Sequence, residues 1–256
     1  VITSKDNELI KSIKKLKEKK YRDAYGKFVI EGIKLIGEAI QENADIECIV
    51  ICEDCMKENC IDKKLMYEIA KKNCVYVNSK VFNTITDVSN PQGILAVVKR
   101  ADASEKINYG EDAIIVLDGI QDPGNLGTII RSAVAFDIDT IIASLDTVDI
   151  FNPKVIRASQ GMIFHINYIV DNLSERLKNL KENNYKILST KVTGGKSLKS
   201  VEKMKKFAII MGNEGNGVSP YLQDLSDELL YIDMNNNCES LNVAVATSII
   251  LYELSK

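Results

Sequence analysis

Hydrophobic positions recur at helical spacing from the start of the chain. Leu9, Ile10, Ile13 and Leu16 share one face of "NELIKSIKKLKEKK" while lysines occupy the other, which predicts a helix over residues 7–20. "FVIEGIKLIGEAIQ" then reads as a short strand running into a helix. The alternation continues through "IECIVIC" (strand), "KKLMYEIAKK" (helix), "CVYV" (strand), "SKVFNTIT" (helix) and "GILAVVKR" (strand). This is a small α/β unit over residues 1–100. The stretch "ADASEKINYGED" at 101–112 loses both hydrophobicity and period, and is expected to be a linker.

From residue 113 to 256 the strands become continuous apolar runs. "AIIVLD", "IDTIIAS", "FHINYIV", "YKILST", "KFAIIMG" and "ELLYIDM" are separated by helical patterns at 124–136, 153–160 and 173–182, and an apolar helix closes the chain. Uninterrupted apolar strands joined by helices predict a parallel sheet covered on both faces, so the expected class is α/β. Ligands of such sheets bind beyond the carboxyl ends of the strands. The final apolar segment, "SLNVAVATSIILYEL", is shorter than the roughly 20 residues a membrane span needs and carries Asn242 and Glu253, so a buried helix is expected there.

Composition adds little except through charge and cysteine. The net charge of -3 conceals a basic front: residues 1–40 hold ten Lys/Arg against six Asp/Glu, and the remaining 216 residues are acidic overall. A phosphate-rich partner held by that front suits this asymmetry, as does a plain solvated helix face. The opening "VITSKDNELIKSIKK" has no apolar core of a secretory leader, which makes the cytoplasm the expected location. Cys52 and Cys55 form a CxxC within the Cys48–Cys60 cluster. No second CxxC follows and the single histidine, His165, lies far away, so buried reduced thiols are expected and no metal.

Three strand ends concentrate the chemistry. In "LDGIQDPGNLGTIIRSAVAF", Asp122 suits an N-cap and Pro123 the first helical position, placing Asn125, Thr128 and Arg131 at intervals of three near the helix start. A cation there opposes the helix dipole unless an anion sits beside it. In "FAIIMGNEGNGVSP", a strand ends in Gly212, Gly215 and Gly217 with Glu214 among them, a loop whose main-chain amides could hold a nucleotide. In "LLYIDMNNNCESLNVAVATSIILYEL", Ser240 is expected to begin the last helix, with Asn242 at its entrance. A dinucleotide-binding oxidoreductase is one alternative, because Asp233 follows Gly212 by 21 residues. The glycine spacing, however, is GxxGxG rather than GxGxxG.

Together, "DPGNLGTIIRSAVAF", "IIMGNEGNGVS" and "IDMNNNCESLNVAVATSIILYE" resemble the three ordered motifs of the SpoU, or TrmH, family of RNA ribose 2'-O-methyltransferases in the SPOUT superfamily, over residues 113–256. The part containing "FVIEGIKLIGEAI" resembles the small α/β RNA substrate-binding domain that many members carry in front. The resemblance implies a C-terminal SPOUT domain whose backbone forms a deep trefoil knot, a homodimer, and S-adenosylmethionine bound at Gly212, Ile232, Met234 and Leu241. Its catalytic positions fall on Asn125, Arg131, Glu214, Ser240 and Asn242, with no metal and with Arg131 reaching the partner subunit's site. A guanidinium stays protonated, so Arg131 is expected to stabilise an oxyanion rather than act as a base. The implied substrate is structured RNA, 23S rRNA before tRNA, with Lys14, Lys17, Lys20 and Arg22 contacting phosphates. A non-catalytic RNA-binding protein of the same fold is a further alternative, although binding alone would not require the five polar positions. Three departures from the family pattern bear on the cofactor pocket: "IPM" reads "IDM" at Asp233, the following turn is Asn235–Asn237 without glycine, and Ala244 stands where serine is usual.

Overall fold

A computed structural model describes residues 1–54, 61–100, 107, 109–110 and 113–254. The chain runs through α1 (Glu8–Lys15), α2 (Lys19–Tyr25), β1 (Lys27–Glu31), α3 (Ile33–Gln41), β2 (Ile46–Cys52), α4 (Lys63–Ala70), β3 (Cys74–Val77), α5 (Ser79–Phe82) and β4 (Ile94–Lys99). It continues through β5 (Ile114–Asp118), α6 (Pro123–Ala135), β6 (Thr140–Ala143), α7 (Pro153–Ser159), β7 (Asn167–Val170), α8 (Leu173–Glu182), β8 (Lys186–Thr190) and β9 (Lys196–Ser197). β10 (Phe207–Gly212), α9 (Pro220–Asp224), β11 (Glu228–Tyr231) and α10 (Val243–Leu254) complete it. Two compact units result: Val1–Asp102 with Asp149–Phe164, and Ala103–Val148 with His165–Lys256.

The first unit is built on a four-stranded mixed sheet of order β1-β4-β2-β3, in which only β2 and β3 run parallel. Ile10, Ile13 and Leu16 of α1 pack with Cys48, Val50 and Cys52 of β2, Val81 and Phe82 of α5, and Leu95 and Val97 of β4. Cys48 and Cys52 therefore serve as small hydrophobes. Burial pushes the Cys48 thiol up to about 11, which keeps it protonated. Cys55 and Cys60 lie outside the described residues.

The helix expected over 7–20 is broken after Leu16. Glu18 is extended, α2 starts afresh, and Arg22 accounts for the break: its Nη1 donates to the carbonyls of Leu16 (3.0 Å) and Lys17 (2.7 Å), satisfying the end of α1. Its Nε and Nη2 donate to Asp149 Oδ2 at 3.0 and 2.7 Å, and the side chain is only 4% exposed. The expected phosphate contact by Arg22 gives way to an internal role, since its donors are taken within the fold.

Residues 149–164, expected to belong with the second half, group with the first unit. Phe151 and Phe164 lie 4.5 and 6.4 Å, centroid to centroid, from Phe28 of β1, and α7 packs on that strand. Gly161 (φ +95°) passes so close to Glu38 of α3 that a Cβ would lie 2.6 Å from its Cγ.

The second unit is a seven-stranded sheet of order β7-β6-β5-β10-β8-β11-β9, parallel at every pairing. Every residue of β5, β6 and β10 is buried, as a sheet covered on both faces requires. Leu173, Leu177 and Leu180 of α8 cover Ile114, Val116, Ile187 and Ile210, while α6 packs on α10 and α10 on β10. Most of the expected linker lies outside the described residues. Ile107, however, is buried in this core with Tyr109 packed against it.

Candidate active site

The second unit's site is made where β5 and β10, neighbours in the sheet, end together at Asp118 and Gly212. After Gly212 the chain curls back on itself. Asn213 and Gly217 exchange main-chain hydrogen bonds of 3.1 and 2.9 Å, and a Cβ on Gly212 would lie 2.1 Å from both Gly217 C and Val218 N, so only glycine fits. Two side chains pin this loop to the adjacent strand end. Asn213 Nδ2 donates to Gly119 O (2.8 Å) while its Oδ1 accepts from the amides of Gly215 and Asn216. Buried Asp118 accepts from both the amide (2.7 Å) and the hydroxyl (2.6 Å) of Ser219.

Glu214, held in this loop, closes onto the start of α6. Its carboxylate accepts from the amides of Gln121 (3.1 Å) and Asp122 (3.0 Å) and from Asn125 Nδ2 (3.0 Å). Partial burial alone would push this carboxyl up, but the Asn125 side chain and the surrounding amides outweigh it, and it lies below the usual carboxylate range. Because a carboxylate only accepts, Asn125 must present its NH2 to Glu214 and its oxygen to Asn242, whose Nδ2 donates to it at 2.8 Å. Asn242 in turn uses its own oxygen to cap α10, accepting from Ala244 N (2.9 Å) and Val245 N (3.3 Å). The last helix thus begins after Asn242 rather than at the expected Ser240.

A cleft of about 640 Å³ opens beside this chain of amides. Its lining includes Gly212, Glu214, Ile232, Met234, Ser240, Leu241 and Asn242, so these seven of the nine expected catalytic and cofactor positions share one cavity, and Asn125 joins through its hydrogen bonds. Arg131 is exposed on α6, outside that lining, and makes no side-chain hydrogen bond or ion pair among the described residues. Six residues beyond Asn125, it stands about 9 Å further along the helix and roughly a third of a turn around it. The lysines of the basic front belong to the other unit.

The departures at Asp233 and Asn235–Asn237 take specific forms. Asp233 accepts from Ser197 Oγ beside β9, while its neighbours Ile232 and Met234 face the cleft. Asn235 builds the turn itself, its side chain accepting from Asn237 N (2.9 Å) and its carbonyl from Cys238 N (2.9 Å), so an asparagine side chain closes a turn made without glycine. Sequence reasoning missed Thr190–Thr193 and Gln223, which also line the cleft. Thr190 ends β8, so the strand-end rule would have reached it.

A cleft of this size, walled by a glycine loop and by Ile232, Met234, Leu241 and Val243, suits a nucleoside held by main-chain groups against apolar surface. The SpoU rRNA Methylase family profile matches residues 112–252, and an MRM3-like substrate binding domain profile matches residues 7–96. The chain belongs to the SpoU rRNA methylase family. One relative, the 23S rRNA (guanosine(2553)-2'-O)-methyltransferase RlmP of Bacillus subtilis, is 33% identical over 253 residues, covering 99% of this chain and 98% of its own. The AdoMet-bound rRNA methyltransferase of Sinorhizobium meliloti superposes with a TM-score of 0.87 at 30% identity, over 98% of this chain and 95% of that one. The methyltransferase AviRb of Streptomyces viridochromogenes has the same fold, with a TM-score of 0.85 at 21% identity over 96% of each chain. Membership in the SpoU family makes this chain an S-adenosylmethionine-dependent RNA methyltransferase.

Proposed function

We propose that this SpoU-family protein methylates a ribose 2'-hydroxyl of 23S rRNA, at the position that its Bacillus subtilis relative modifies. The observation that carries the reading is the Asn242–Asn125–Glu214 chain beside a nucleoside-sized cleft. S-adenosylmethionine would be held by the Gly212 loop with Ile232, Met234 and Leu241, and when bound it supplies a methyl group on a cationic sulfur. A ribose hydroxyl is a poor nucleophile near neutral pH, so the protein must stabilise its developing negative charge. Asn125, Glu214, Ser240 and Asn242 fix the loops and orient the sugar. Arg131 stabilises the oxyanion and the neighbouring phosphate.

Arg131 stands outside its own cleft, which supports its acting in a second copy's site. Val245, Ile249 and Tyr252 of α10 form an exposed apolar stripe on which that copy would pack, giving a homodimer. The trefoil threading of the backbone belongs to the same reading. Lys14, Lys17 and Lys20 contact RNA phosphates, Lys17 and Lys20 giving up their exposed ion pairs with Asp87 and Glu18 to do so. Among the described residues no helix is long and apolar enough to cross a membrane, and a ribosomal substrate places the protein in the cytoplasm.

The test is methyl transfer from labelled S-adenosylmethionine to 23S rRNA and tRNA isolated from cells lacking the gene, with the modified nucleotide mapped by ribose-sensitive primer extension. Incorporation at guanosine 2553 of 23S rRNA is expected. Methylation of tRNA alone would overturn the substrate, and none on any RNA would overturn the activity.

A further inference from the structure

The first unit presents a feature that the catalytic reading does not use. α2 is short and two-faced: Arg22 is buried, whereas Tyr25 is 42% exposed and Tyr21 lies one turn before it. The two rings are 5.9 Å apart, centroid to centroid, with planes inclined by 31°. Lys15 and Lys20 place their ammonium groups 5.5 and 4.7 Å from the centre of the Tyr21 ring. Lys19 is exposed on the same short helix, and the part of Tyr25 that Tyr21 and the rest of the unit leave uncovered faces solvent.

Solvated lysines alone would suit the backbone of any nucleic acid. Two tyrosine rings at one helical turn, set among those lysines, add flat apolar faces that a paired duplex cannot use but an unstacked base can. The buried Arg22 holds the platform in place by tying α2 to the end of α1 and to Asp149. Resting on the RNA methyltransferase reading, we infer that Tyr21 and Tyr25, flanked by Lys15 and Lys20, form a stacking platform for unpaired nucleotides of the substrate RNA. The protein would then select a loop or bulge in the rRNA and not a regular helix.

The test uses the full-length protein and an oligonucleotide from the loop that carries the methylated ribose, alone and annealed to its complement, with Kd measured across a range of salt. Tyr21→Ala/Tyr25→Ala is expected to weaken single-strand binding between about fivefold and a hundredfold without altering the salt slope. Tyr21→Phe/Tyr25→Phe is expected to retain it, because the ring face and not the hydroxyl makes the contact. Lys20→Ala should instead reduce the salt slope by about one. An unchanged Kd in the double alanine variant, equal loss in the phenylalanine variant, or equal binding of the duplex would each overturn the platform. Circular dichroism and S-adenosylmethionine binding, which depend on other residues, confirm that each variant is folded. Failure of the wild-type protein to bind or methylate RNA would instead sink the methyltransferase reading, so the two failures are distinguishable.

Discussion

Asn242 donates its side-chain amide to the side-chain oxygen of Asn125 at 2.8 Å, across 117 positions of sequence, and so couples the cap of the last helix to the start of α6. Since Asn125 then donates to Glu214, three loops share one hydrogen-bonded line. Asn125→Ala leaves the acceptor-only Glu214 carboxylate and the Asn242 amide, both exposed, without their protein partner. A hydrogen bond to a charged group contributes about 1.5–3 kcal/mol, so single-turnover methyl transfer should fall roughly tenfold or more. Asn125→Asp should be worse, because it sets a second carboxylate against Glu214. Wild-type rates in both variants would refute the coupling.

Arg131→Ala is expected to abolish turnover while S-adenosylmethionine still raises the melting temperature, because Arg131 lies outside the cleft that would hold the cofactor. Mixing this variant with Glu214→Gln should restore part of the activity if each active site takes its arginine from the other subunit. Undiminished methylation by Arg131→Ala alone would overturn the assignment.

Gly212→Ala places a methyl carbon where main-chain atoms of Gly217 and Val218 stand, 2.1 Å away, with no flexible side chain to yield. Overpacking of this kind costs about 1–3 kcal/mol, and the loop must move to relieve it. The expected readouts are a lower melting temperature and loss of the S-adenosylmethionine-induced shift.

Arg22→Ala should lower stability by about 3–5 kcal/mol, because it strands Asp149 in a nearly buried position. The salt dependence of RNA binding should stay as in wild type. Lys14→Ala and Lys20→Ala should do the reverse, leaving stability near wild type and each reducing the salt slope by about one. Denaturant unfolding and salt-dependent binding separate the two roles.

The Glu214 carboxyl is depressed in the folded protein, so its stabilising contribution is complete above its unfolded value and is lost as pH falls through the lower folded value. Asp227, partly buried but hydrogen-bonded to Lys181 and to the amide of Ile187, is depressed in the same sense. The melting temperature should therefore hold through neutral pH and fall only as pH drops below the ordinary carboxylate range near 4. Glu214→Gln should flatten part of that fall.

Much of this was legible wherever one residue type has one physical use. The apolar run of β2 and the continuous runs of β5 and β10 gave their strands directly, and the glycines after β10 gave the loop. The break after Leu16 was hidden because the lysine-rich stretch keeps helical spacing through Lys20, while the partner that draws Arg22 inward, Asp149, is 127 positions away. The start of α10 was off because serine and asparagine both cap helices, and only Asn242 has Asn125 opposite it. β9, two residues long, leaves no periodic trace. Arg131 lies on α6, but the spacing of three that grouped it with Asn125 drifts around the helix and leaves it outside the cleft lining.

The stretch 149–164 changes how the gene can be dissected. Phe28 is shielded by Phe151 and Phe164, so a fragment ending near residue 100 would expose an aromatic side chain and leave Arg22 without its carboxylate. The converse fragment would carry a loose apolar insert with nothing to cover. Swapping the front half for that of another family member would therefore require exchanging this distant insert as well, and a chimera joined only at the apparent boundary should aggregate.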